Sequence, residues 1–187
     1  MGKQRPWITY FSQTGAEIAD IAESLGKWPT RIITNKRPED LRTIDPRIIE
    51  QGYIEMPNKP TEKEYMDILQ YFEDPIITLH GWLRIMPEEI CRTYTTFNGH
   101  PGLITDYPEL KGKDPQVRTW KGIQEGKYET AGAVIHRVTE GVDEGKVLSF
   151  ERFNTFNVES LDDLFKVLRD RSLYLWVNLL REIVVEK

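Results

Sequence analysis

Thr61-Glu62-Lys63-Glu64-Tyr65-Met66-Asp67-Ile68-Leu69-Gln70-Tyr71-Phe72-Glu73-Asp74-Pro75-Ile76-Ile77-Thr78-Leu79-His80-Gly81 sets the architecture of the chain. Tyr65, Ile68, Leu69 and Phe72 follow the i, i+3, i+4, i+7 spacing of one buried helical face, and Thr61 with Glu64 fits a capping box at its start. A proline ring clashes with helical backbone, so Pro75 stops the helix. Ile76-Ile77-Thr78-Leu79 then predicts a short apolar strand ending at His80-Gly81. Upstream, Trp7–Phe11 is a β-branched and aromatic run, Ser12 to Gly15 a turn, Ala16–Leu25 a helix and Arg31–Thr34 a second strand. Strands alternating with helices predict a mainly parallel sheet with helices on both faces. Residues 36–60 carry Pro38, Pro46, Pro57, Pro60 and scattered charge, which predicts a loop-rich excursion.

Downstream, residues 87–94 predict a helix, 95–98 a strand, and 114–125 a helix with Pro115 in its first turn. Residues 131–138 and 146–153 predict two strands, an antiparallel pair joined by 139–145. Residues 160–184 form an amphipathic helix marked by Leu161, Leu164, Phe165, Leu168, Trp176, Leu179, Leu180 and Ile183. At 187 residues, 39% hydrophobic and 29% charged, the chain suits a single α/β domain over residues 1–187. It contains no internal repeat.

A net charge of −5 without a block of lysines and arginines argues against nucleic acid as a partner. No apolar run is long enough to span a bilayer, and Met1 to Trp7 lacks the apolar core of a secretory signal, so a cytoplasmic location without membrane attachment is expected. Three histidines and one cysteine offer no metal-ligand cluster, and no metal is expected. Cys91, mid-helix, is expected to be structural.

Open parallel sheets bind ligands at the carboxyl ends of their strands, which singles out residues 12–17, 80–86, 98–102 and 139–145. Asn98 and His100 are two apart on extended backbone and project to the same side. Pro101 keeps His100 out of helical geometry. An amide donor and an imidazole aimed at one point suit the oxygen of a carbonyl under attack. On spacing alone, a turn histidine beside an asparagine capping its own backbone is the commoner outcome.

Three stretches carry more. Asn98-Gly99-His100-Pro101-Gly102-Leu103, Tyr107-Pro108-Glu109-Leu110 and His136-Arg137-Val138-Thr139-Glu140-Gly141-Val142-Asp143-Glu144-Gly145 resemble the signature of folate-dependent formyltransferases. The similarity is greatest to the phosphoribosylglycinamide formyltransferase branch, and Gly81-Trp82-Leu83-Arg84-Ile85-Met86 echoes its upstream segment. The matched segments run in order from Ile8 to about Phe153. The resemblance implies a Rossmann-type, formyltransferase-like sheet and transfer of a formyl group from 10-formyltetrahydrofolate to a small amine, by a monomer or homodimer. It implies that Asn98 holds the formyl oxygen, that His100 is the general acid toward it, and that Asp143 raises the pKa of His100 and helps take the amine proton. Leu83, Arg84, Ile85 and Met86 would line one wall of the folate pocket, and Thr139, Glu140, Gly141 and Val142 with Asp143 the other. His136 and His80 are expected to be satisfied core histidines.

The chain departs from the family pattern in the first turn. Ser12, Gln13, Thr14, Gly15 and Glu17 occupy the expected substrate-phosphate loop but keep one of its two glycines, and Glu17 places a carboxylate where an anion would sit. Thr14 and Glu17 fit a capping box. An altered acceptor, or a phosphate held by Lys111 or Lys113, is expected. A sugar-nucleotide amine is the rival acceptor, and a folate-binding module without a competent acceptor site the rival outside catalysis.

Overall fold

The structure, a computed structural model, describes residues 4–185. Residues 1–3 and 186–187 of the expected domain lie outside it. A seven-stranded sheet has the order β3-β2-β1-β4-β5-β6-β7, where β1 is Trp7–Phe11, β2 Arg31–Thr34, β3 Ile54–Glu55, β4 Ile76–His80, β5 Thr95–His100, β6 Thr130–Arg137 and β7 Val147–Asn154. β3, β2, β1, β4 and β5 run parallel, whereas β6 and β7 are antiparallel. The expected α/β architecture is therefore present.

Helices α1 (Ala16–Leu25), α2 (Pro46–Gln51), α3 (Glu62–Leu69), α4 (Glu88–Thr93), α5 (Pro115–Gln124) and α6 (Leu161–Leu180) cover the sheet. Strand periodicity sorts the core into two sides. Ile77 and Leu79 of β4 pack with Tyr65, Leu69, Ile90 and Cys91 from α3 and α4. Ile76 of the same strand faces Ile21, Leu175, Trp176 and Leu180 from α1 and α6. Trp7, Tyr10, Tyr65 and Trp176 are fully buried, each burial stabilising by roughly 2–3 kcal/mol on transfer scales. No helix among the described residues is long and apolar enough to cross a membrane.

The deciding stretch behaves as its pattern dictates. Glu64 reaches back to accept the Thr61 backbone N–H at 2.7 Å, and Ile68 and Phe72 pack on the core with Tyr65 and Leu69. Two predictions need correction. The excursion over residues 36–60 contains α2, whose first turn is capped by Asp45 accepting from the Arg47 backbone N–H, and the two-residue β3. Elements so short have too few residues to display a period. β5 also runs two residues past its expected end, because Gly99 and His100 pair with Ile135 and Val134 of β6.

Candidate active site

β5 is the strand at which the sheet changes from parallel to antiparallel. Its register with β6 puts Asn98 opposite His136 and His100 opposite Val134. Asn98 Nδ2 accordingly lies 3.3 Å from His136 Nε2. The loop between β6 and β7 brings Asp143 back over the same point, with the residue in left-handed backbone geometry (φ 53°). One carboxylate oxygen is 3.2 Å from His100 Nδ1 and the other 3.1 Å from His136 Nε2. The Gly112 backbone N–H also donates to Asp143, at 2.8 Å. Of these four side chains His100 and His136 are buried, while Asn98 and Asp143, the latter with a side chain 9% exposed, are partly buried.

The environment sets the charge on each group. Burial pushes the Asp143 carboxyl up, but the hydrogen bond with His136, the His100 charge and the Gly112 N–H outweigh it, so its pKa is lowered and it stays ionised. For His100 burial is the dominant influence and pushes the pKa down, against the raising effects of Asp143 and of the Leu110 carbonyl. Asp143 thus raises the His100 pKa by its charge, as expected, but desolvation exceeds it. Nε2 of His100 lies 2.9 Å from the Leu110 carbonyl, which can only accept, so Nε2 carries the hydrogen of the neutral ring. Nδ1, beside Asp143, is the nitrogen left to gain a proton.

His136 was expected to be an ordinary core histidine. It is buried, with Nδ1 3.0 Å from the Arg137 carbonyl, but Nε2 joins Asn98 to Asp143. The signal that places it there is the β5–β6 register, which spacing along the chain does not reveal.

Beside this cluster is a cleft with Trp82, Arg84, Ile85 and Met86 on one wall and Val138, Thr139, Glu140, Gly141 and Val142 on the other, with Asn98, His136 and Asp143 at its base. Ile85 and Val142 are 72% and 53% exposed, an apolar surface open to a ligand. Leu83 does not line the cleft: its side chain is exposed and its backbone N–H donates to Ser12 Oγ. Arg84 is turned toward Asn58, donating to its carbonyl oxygen at 2.6 Å and to Oδ1 at 2.7 Å.

The first turn lies at the carboxyl ends of β1 and β4. Ser12 Oγ donates to Asn35 Oδ1 at 2.7 Å, and Gln13 and Thr14 are exposed. Gly15 is buried at φ 76°, where a Cβ would stand 3.1 Å from Ile48. The Ala16 N–H donates to Thr14 Oγ1 at 3.2 Å, but Glu17 does not complete the expected capping box. Its carboxylate instead faces His80 Nδ1 at 2.8 Å and accepts from Ser172 Oγ of α6 at 2.7 Å. Burial raises the Glu17 pKa, while His80 and Ser172 lower it further, so the group is held ionised. His80 is buried on this pair and on Thr78 Oγ1 at 2.9 Å. Lys111 and Lys113 are exposed. Among the described residues no group of three or more His, Cys, Asp or Glu side chains is placed to hold a metal ion.

An amide, two imidazoles and a carboxylate thus converge beside an open cleft on a seven-stranded α/β sheet. The family described as Formyl transferase matches residues 24–179, and the chain belongs to that family. Among its relatives, the phosphoribosylglycinamide formyltransferase of Dictyostelium discoideum is 29% identical over 120 residues, covering 60% of this chain and 58% of that enzyme. The enzyme of the same name from Schizosaccharomyces pombe is 24% identical over 153 residues, covering 80% of this chain and 72% of the relative. In structure, the chain matches the phosphoribosylglycinamide formyltransferase of Campylobacter jejuni with a TM-score of 0.78, over 98% of this chain and 99% of that one, at 20% identity. At that identity the likeness speaks to fold.

Proposed function

We propose that the chain transfers a formyl group from 10-formyltetrahydrofolate to a small amine, in the manner of a phosphoribosylglycinamide formyltransferase with a divergent acceptor site. The observation carrying this reading is the cluster of Asn98, His136 and Asp143 at the base of the cleft, with His100 buried behind Asp143 at 3.2 Å. The apolar faces of Ile85 and Val142 fit a flat ring, and the backbone of residues 84–86 and 139–142 supplies edge contacts for a pterin. Bound there, the folate supplies a formyl carbon already activated toward nitrogen.

Asn98 Nδ2 is the donor for the formyl oxygen. As the amine attacks and that oxygen gains negative charge, a second anion joins Asp143 beside His100. Two anions outweigh the burial that keeps the ring neutral, so His100 takes up a proton and shares it with the oxygen as the tetrahedral centre forms. Asp143, held ionised, takes the proton of the attacking amine and relays it to His100; collapse of the tetrahedral centre then breaks the bond from the formyl carbon to the folate nitrogen, which departs with that proton.

Divergence of the acceptor is supported by Glu17. Its carboxylate, fixed by His80 and Ser172, sits in the first turn of α1, where it opposes an incoming anion. Turnover of 10-formyltetrahydrofolate with glycinamide ribonucleotide, with sugar-nucleotide amines and with water as acceptors tests the proposal. Transfer to an amine that is lost in His100→Asn, with folate binding retained, is the expected outcome. Folate binding without turnover for any acceptor would reduce the protein to a binding module, and wild-type efficiency with glycinamide ribonucleotide would remove the claim of an altered acceptor.

A further inference from the structure

The segment joining β5 to α5 touches both catalytic side chains through its backbone. The Leu110 carbonyl receives His100 Nε2–H, and two residues on the Gly112 N–H donates to Asp143. The relative placement of imidazole and carboxylate is therefore only as well defined as residues 109–112. A single 3-10 turn, Pro108–Leu110, holds only its start, and beyond that turn the backbone is left-handed at Gly112 (φ 85°) and again at Asp114 (φ 51°).

Arg118 of α5 holds the stretch. Its Nη1 donates to the Glu109 carbonyl at 2.5 Å, and Nη2 donates to the carbonyls of Leu110 at 2.9 Å and Lys111 at 2.7 Å. One planar guanidinium thus spans three consecutive carbonyls, a pattern that a single ammonium cannot reproduce. The grip is kept although Nε is buried without a hydrogen-bond partner among the described residues. The Leu110 oxygen is the shared acceptor: one lone pair serves Arg118 and the other His100. From the far side, Glu109 is tied to Lys127 Nζ at 2.7 Å and to the Tyr128 hydroxyl at 2.9 Å.

We infer that Arg118 is a positioning residue of the active site, which fixes Leu110 as the partner of His100 Nε2 and so sets the tautomer and orientation of the catalytic ring. Alternative loop conformations would let either ring nitrogen carry the hydrogen, and molecules with it on Nδ1 would present the wrong nitrogen to Asp143 and the formyl oxygen. The charged and titratable groups facing His100 are Asp143 from the β6–β7 loop, His136 from β6 and Arg118 itself. Arg118 opposes protonation of the ring by its charge, and burial acts in the same sense.

Two measurements test this on the full chain carrying 15N-labelled histidine. Long-range 1H–15N correlation spectra of wild type above the pKa of His100 should give a single Nε2–H tautomer. Arg118→Met should give a mixture and a raised His100 pKa, while Arg118→Lys should keep the charge yet still lose the single tautomer. The kinetic arm rests on the proposed formyl transfer. With 10-formyltetrahydrofolate and the best amine acceptor, kcat of Arg118→Met should fall at least about tenfold, a fraction of what general acid–base catalysis supplies, with KM for the folate within about twofold. An unchanged tautomer and pKa in both variants would overturn the inference. Should wild type transfer no formyl group, the proposed function fails but the ring spectra still decide the role of Arg118. Should Arg118→Met not fold, Arg118→Lys supplies the same comparison.

Discussion

Replacing Asp143 by asparagine preserves shape and removes one partly buried charge. In the substituted loop the amide oxygen has to remain where the Gly112 N–H points, since that donor otherwise loses its acceptor. The new NH2 then occupies the position 3.1 Å from His136 Nε2, in place of a carboxylate oxygen that can only accept. More important, His100 loses the anion at 3.2 Å that opposes its burial. Coulomb attraction at that distance is about 5 kcal/mol for an effective dielectric of roughly 20. Relaxation and water entry reduce the usable part to about 3–4 kcal/mol, or roughly two to three decades in rate. Single-turnover transfer from 10-formyltetrahydrofolate should therefore slow by about 10²–10³-fold in Asp143→Asn, with donor affinity little changed, and the His100 pKa should fall below its already lowered wild-type value. A variant retaining rates within about threefold of wild type would show that the carboxylate does not govern the protonation of His100, and the assigned mechanism would be wrong.

Glu17→Gln should destabilise the protein by about 1–2 kcal/mol at neutral pH through the contacts with His80 and Ser172, discounted for the partial exposure of the carboxylate. The Glu17 pKa is lowered on folding, so its contribution is present above the unfolded value near about 4.3 and is lost as pH falls through the folded value. Thermal melts should thus show wild type and variant converging in acid, and a pH-independent gap would refute the pairing. Gly145→Ala should impair activity more than its small size suggests, because an added Cβ would overlap the Arg137 carbonyl oxygen and displace the loop carrying Asp143. Loss of at least about tenfold in kcat is expected, and unchanged turnover would mean that the loop adjusts without moving the carboxylate.

Legibility in the sequence followed the length scale of each interaction. The helix after Thr61 and the strand after Pro75 were readable because a period of 3.6 or 2 is repeated over enough residues to exceed chance. α2 and β3 were not, since six and two residues display no period and their placement is decided by the sheet edge they join. Asn98, His100 and Asp143 could be named from ordered motifs, but their charge states could not. The His100 pKa is decided by burial, and burial belongs to the packed molecule. Glu17 illustrates the opposite hazard. Thr14 and Glu17 have capping-box spacing, yet a buried imidazole on β4 and a hydroxyl on α6 form a better-satisfied partnership than the local backbone, and both lie far away in sequence.

The change of strand direction at β5 accounts for why the cluster forms there. The parallel neighbour β4 also lies alongside β5, but it sets the apolar Leu79 opposite Asn98. An antiparallel neighbour places the body of β6 against β5, and His136 thereby meets Asn98 side by side. The same reversal sends the β6–β7 connection back over the strand end, which delivers Asp143 from a loop only nine residues long between Arg137 and Val147. On the other flank of β5, β4 remains parallel and contributes His80 and the segment after it, which shapes the cleft wall and the contact with Glu17. The two halves of the sheet therefore have separable tasks. Under the proposed function, the antiparallel half assembles the groups that handle protons, and the parallel half presents the turns that receive ligands. Substitutions in the first turn or α1 should accordingly redirect acceptor choice without disturbing the Asn98, His100 and Asp143 geometry, which is held by β6 and by the backbone of residues 110–112.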